Sequence, residues 1–185
     1  MIVQNDGAEK LTTQRIADIA GVNIASLYQY FPSKEAVLAR VFETEIERMA
    51  EAAKSEFKRI EALSYQSFEG TLVAIIQLEA SQLSRIHGLG SDFYLRYRQS
   101  FDIHERVNQL ALSQSNLSWE SWFVNFLRRH RQCLRGDNVH QMSFLARNTL
   151  QSCLIAALVE NPPLLAQADF LEELRVLVLR YLQAD

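Results

Sequence analysis

The chain has 185 residues, 48% hydrophobic and 22% charged, enough to bury a core in one large domain or two small ones. Its 6 glycines and 3 prolines are too few for a loop-rich, all-β or disordered chain, and a net charge of −3 announces no nucleic-acid partner by bulk electrostatics. The apolar runs read as too short to cross a bilayer, and residues 1–10 have neither the basic start nor the apolar stretch of a signal peptide. Cys133 and Cys153 form no CxxC pair and no metal-ligand spacing with histidine, so the expectation is a reduced, cytoplasmic protein with no membrane partner.

In chain order, residues 11–34 are the most specific stretch. Thr12 is placed to cap a short helix with an apolar face of Ile16, Ile19 and Ala20, and Ala17 is small where a second helix must come close. Gly21 suits the left-handed backbone at a helix end, and Val22 is expected to pack inward. Asn23 caps a second helix with Leu27 and Phe31 facing the core; Pro32 stops it and Ser33 caps a third. Two short helices joined by a tight glycine turn make a helix-turn-helix, whose second helix enters the major groove of DNA.

From Lys34, the apolar residues Leu38, Phe42, Ile46, Met49, Ala53, Phe57 and Ile60 recur every three or four positions, predicting one long helix. A second long pattern runs over residues 68–87 through Leu72, Ile75, Ile76, Leu83 and Ile86, with Gly88 and Gly90 as stop signals. Residues 92–114 are less regular and suggest one or two shorter helices. Ser118 caps a pattern of Trp119, Trp122, Phe123, Phe126, Leu127, His130 and Leu134, stopped by Gly136. Residues 138–160 predict a helix facing inward through Met142, Leu145, Ala146, Thr149, Leu150, Cys153, Leu154, Ala157 and Leu158. Pro162 and Pro163 break it, and a last helix carries Leu171, Leu174, Val178, Tyr181 and Leu182. No strand-like alternation of useful length and no internal repeat appears. The predicted class is all-α, divided into a helix-turn-helix domain over residues 1–40 and a larger helical domain over 41–185.

Thr13, Ile16, Ala17, Ala20, Gly21, Val22, Asn23, Leu27, Tyr28, Tyr30, Phe31, Lys34 and Val37 or Leu38 follow a known spacing. In these residues the chain resembles the TetR family of bacterial transcriptional regulators; beyond them the likeness is one of layout. The resemblance implies a homodimer, typically a repressor, that reads double-stranded operator DNA through residues 1–40 and is controlled by a small-molecule effector, with residues 41–185 as the effector-binding and dimerisation domain. It also implies a full helix with a basic arm before Leu11. Only ten residues stand there, and residues 1–50 carry a net charge of −2, so the expectation is a start truncated relative to the family, the alternative being weak DNA binding.

With the core positions removed, the second helix presents Ile24, Ala25, Ser26, Tyr28, Gln29 and Tyr30. Ile24 and Ala25 suit thymine methyls, and Ser26 a base edge or phosphate. Thr13 and Gln14 lie at the amino end of the preceding helix, where backbone amides favour phosphate. By the resemblance, Thr13, Tyr28, Tyr30 and Lys34 touch the DNA backbone.

Aromatics crowd residues 93–126, where an interhelical pocket for an apolar effector is expected, lined by Phe101, Trp122, Phe126 and Met142. His87, His104, His130, Asn148 and Gln151 are candidate polar anchors; the alternative is that the aromatic stripe is simply core. Arg128, Arg129, Arg131 and Arg135 suit the carboxyl end of a helix, or else an anionic effector. By the resemblance the final two helices form the dimer surface through Leu150, Leu154, Ala157, Leu158, Leu174, Val178 and Tyr181; the alternative is packing within the subunit. Gly-rich phosphate loop, HExxH, GxSxG and paired carboxylates are all missing, so neither an enzyme nor a cofactor is expected. The competing reading is a ligand-binding, dimerising helical protein with a vestigial DNA head.

Overall fold

The computed structural model describes residues 12–88 and 118–184, which form seven α-helices and two 3-10 turns. Most starts are set by a capping side chain. α1 (Thr13–Ala20), α2 (Ile24–Tyr30) and α3 (Lys34–Leu63) begin at Thr12, Asn23 and Ser33, whose oxygens accept from the amides of Arg15, Ala25 and Ala36. α4 (Phe68–His87) and α5 (Trp119–Arg129) start at Ser67 and Ser118, and α6 (Val139–Glu160) at Asn138, in the same way. α7 (Ala168–Leu182) follows the 3-10 turn Pro162–Ala166.

α3 and α4 form an antiparallel hairpin, bridged near its open end by Arg85 and Glu45 at 3.5 Å. The periodic face of α3 is buried as expected, with Ile46, Met49, Ala53, Phe57 and Ile60 at 5% exposure or less. At the closed end the buried Ser64 is a polar hub. Its amide donates to Ile60 O at 2.8 Å and its hydroxyl to Glu61 O at 2.7 Å. Arg129 donates to Ser64 Oγ at 2.7 Å, and His130 Nε2 donates to Ser64 O at 2.8 Å. The amide, hydroxyl and carbonyl of Ser64 are thereby all hydrogen-bonded, and the end of α5 is fastened to the hairpin.

The core is an aromatic ladder on α5. Trp119 stacks on Trp122 at 5.1 Å, Trp122 on Phe126 at 5.9 Å, and Phe126 on Phe68 of α4 at 5.3 Å. Trp122 Nε1 donates to the Glu61 carboxylate, so the indole pays no unpaired-donor penalty. α6 and α7 cover the other side of α4, and an isolated bridge between Leu134 and Gln183 ties the chain end to the loop after α5.

Several expectations change. α5 ends at Arg129 rather than running to Leu134, because His130 turns to Ser64 and a 3-10 turn, Arg131–Cys133, follows. Leu145 and Thr149 of α6 face solvent; the inward stripe runs through Met142, Ala146, Leu150, Leu154, Ala157 and Leu158. The expected boundary at 40/41 falls inside the unbroken α3, which therefore belongs to both halves. α6 has the length and composition of a spanning helix (mean hydropathy 1.3), correcting the view that every apolar run is too short; many of its residues are nevertheless packed into the core. The segment 92–114, with Phe101 and His104, and Gly90 lie outside the described residues.

Candidate nucleic-acid interface

The corner between α1 and α2 is built on one glycine. Gly21 adopts φ 67°, its amide donates to Asp18 O at 3.3 Å, and the next amide, of Val22, donates to Ala17 O at 3.0 Å. This paired closure satisfies two otherwise orphaned carbonyls and turns the chain sharply into Asn23. Ala17 is fully buried and Leu27 nearly so, each the buried residue of its helix where the two helices pack together. Ile19 and Val22 are instead 61% and 44% exposed, against the expectation that they pack inward.

The other face of α2 is open. Ala25, Ser26, Gln29 and Tyr30 are exposed and Ile24 is half-buried. Tyr28, 47% exposed, places its hydroxyl 3.1 Å from that of Thr13, linking α2 to the first residue of α1. Gln14 is exposed and its Nε2 donates to Asp18 Oδ1 at 2.8 Å. Lys34 is half-buried at the first position of α3. A cation there opposes the helix dipole, so its placement is unfavourable in isolation and favourable beside an anion, which both the lysine and the helix end attract. The structure thus brings the half-buried Thr13 beside Tyr28, on the exposed face of α2 that also carries Ala25 and Ser26.

The amino-terminal residues 2–41 match the family model for bacterial regulatory proteins of the tetR family. Over these residues the chain is similar to the tetR family of regulators. It is 43% identical over 60 residues to the nucleoid occlusion factor SlmA of Vibrio cholerae, covering 32% of this chain and 29% of that protein. Against the SlmA of Vibrio vulnificus YJ016 it is 34% identical over 113 residues, covering 60% of this chain and 55% of that protein. The chain therefore spans less than two thirds of these relatives' length. Its fold is similar to that of the transcriptional regulator FadR from Bacillus subtilis in complex with stearoyl-CoA, with a TM-score of 0.52, 20% identity, and coverage of 97% of this chain and 90% of that one.

In the second half, Trp122, Phe126 and Met142, expected to line a pocket, are packed core residues at 5% exposure or less. The enclosed space near α5 is about 10 Å³, room for at most one water. The larger space, about 370 Å³, opens between α3 and α4, where no sequence signal pointed because its apolar lining is part of the ordinary helix-helix seam. The four arginines all have protein partners: Arg128 donates to His140 Nε2 at 2.8 Å, Arg129 lies over the Tyr65 ring at 4.3 Å, Arg131 pairs with Asp137, and Arg135 lies over the Tyr181 ring at 4.3 Å. Leu150, Leu154, Ala157, Leu158, Leu174 and Val178 are buried within the subunit and Tyr181 is half-buried, so these inward faces serve the subunit's own core. The apolar residues left exposed there are Phe144, Leu145, Val159 and Leu177.

Proposed function

We propose that this protein is a transcriptional repressor that binds operator DNA as a homodimer and responds to a small-molecule effector. The observation that carries this reading is the exposed face of α2, Ala25, Ser26 and Tyr28, set on the Gly21 corner and latched to Thr13. Ala25 and Ser26 read base edges, and Ile24 lies beside them; Thr13, Gln14, Tyr28, Tyr30 and Lys34 hold phosphates and so fix the register. Residues 1–40 with the start of α3 form the head, the rest senses and dimerises, and DNA binding places the protein beside the chromosome.

The dimer surface uses the outward side of α6. Leu145, Thr149, Ser152, Ala156 and Val159 share one exposed stripe, with small residues at its middle that admit a second helix closely, and the exposed Leu177 of α7 adds to the apolar surface. A two-fold axis through this stripe spaces two heads for a palindromic site.

The test is fluorescence anisotropy on duplexes from the protein's own promoter region across a salt series. A specific site bound with a steep salt slope, and weakened by Ser26→Ala and Tyr28→Phe, is expected. Wild-type affinity in both variants refutes the assignment of this face. A role in nucleoid occlusion, as named for the Vibrio relatives, is the second reading; sites scattered over the chromosome away from promoters favour it.

A further inference from the structure

The space between α3 and α4 has the features of a built ligand site. It measures about 370 Å³, within the range of small-molecule pockets. Its apolar lining is the buried Met49 and Ala53 with the half-buried Leu78, and the exposed Ala52 stands at its rim. Beside it lies Gln82, 4% exposed, whose Nε2 is buried without a hydrogen-bond partner. A buried amide donor of this kind is costly, and an acceptor brought by a bound molecule satisfies it. The last torsion of glutamine is soft, so the amide turns toward such an acceptor without moving the helix.

The charges divide between the two ends. Arg85 lies one helical turn beyond Gln82, half-exposed and at a long 3.5 Å from the largely buried Glu45, leaving guanidinium donors for a second anion. Because the hairpin is antiparallel, Glu56 of α3 lies at the opposite end, with Gln77 of α4; its Oε1 accepts from Arg59 Nε at 2.9 Å, so its Oε2 is the oxygen that faces a ligand cation. The helical rise separates these ends by about 10 Å. One end offers donors, the other a carboxylate acceptor, and the middle is apolar.

We infer that this groove binds a linear zwitterion, with a carboxylate on Gln82 and Arg85, an ammonium group at Glu56, and an aliphatic chain over Ala52, Ala53 and Leu78. α3 runs unbroken from the Ser33 cap beneath the DNA-reading head to this groove. A molecule seated between α3 and α4 therefore alters how the two helices pack and, with them, the position of the head. The coupling to DNA rests on the regulator reading; the binding does not.

The experiment is calorimetric titration of the full chain with ω-aminooctanoate, octanoate and octylamine at millimolar concentrations. The zwitterion should bind tightest, each single-headed analogue being about tenfold weaker, because each leaves one charged hydrogen-bonding end unmatched. Gln82→Leu should weaken the zwitterion by about tenfold for the same reason. Ala52→Phe fills the groove from an exposed position and should abolish binding without moving the unfolding midpoint. No heat with the zwitterion, equal affinity for octanoate, or wild-type binding by Ala52→Phe overturns the inference. Anisotropy on operator DNA with and without the zwitterion is read separately: no DNA binding in either condition refutes the regulator reading, a change in DNA affinity on adding the zwitterion supports the coupling, and bound zwitterion without any change at the DNA refutes only the coupling.

Discussion

Glu79 makes the folded state sensitive to pH. It sits half-buried on α4 against Ile75, Trp119, Phe123 and Leu150, and burial pushes its carboxyl up to about 7 from 4.5, with Arg147 of α6 pulling the other way. Arg147 compensates only in part: its guanidinium leans to Glu120 of α5 at 3.4 Å, and its Nε is buried without a partner. Between these two pH values the folded chain keeps a proton that the unfolded chain has released, so stability falls as pH rises through the window. Integrating the 4.5-to-7 displacement bounds the loss at about 3 kcal/mol, and residual exposure of the side chain reduces it to about 1–3 kcal/mol. Glu79→Gln keeps the shape and removes the titration. Urea unfolding from about pH 5 to about pH 8, followed by the fluorescence of Trp119 and Trp122 in the same core, should show the wild type losing stability relative to the variant as pH rises. Parallel pH profiles, or a variant less stable than wild type at the alkaline end, refute the argument.

Three other perturbations test separate parts of the structure. Gly21→Ala meets no atom within 4 Å, so its cost is backbone strain alone, about 1–2 kcal/mol, read as faster amide exchange of α1 and α2 with the α5 core unchanged. Phe126→Ala removes a fully buried ring from the ladder and should cost about 3–5 kcal/mol in denaturant unfolding; less than about 1 kcal/mol would show that the ladder is not the core. Leu145→Glu puts a charge on the outward stripe of α6 and should yield a folded monomer by light scattering at micromolar concentration, whereas an intact dimer moves the interface elsewhere.

Local chemistry made much of this molecule legible from the chain alone. The caps at Thr12, Asn23, Ser33 and Ser118 and the left-handed Gly21 depend on neighbouring residues, and the buried face of α3 follows from a periodicity that one solvent-facing helix must show. The open face of α2 could be read because subtracting the packed positions of so short a helix leaves few choices. Tertiary structure decided the rest. An apolar residue does not declare which neighbour covers it: Leu150 and Leu158 look as suited to a partner subunit as to their own core, and only the packing of α6 on α4 and α7 turns them inward while leaving Leu145 and Val159 outside. Trp122 and Phe126 could have lined a cavity until α4 filled the space with Phe68. The groove at Gln82 had no local signature, since an unpaired amide, an arginine turn and a distant carboxylate acquire a common purpose only when two antiparallel helices bring them side by side.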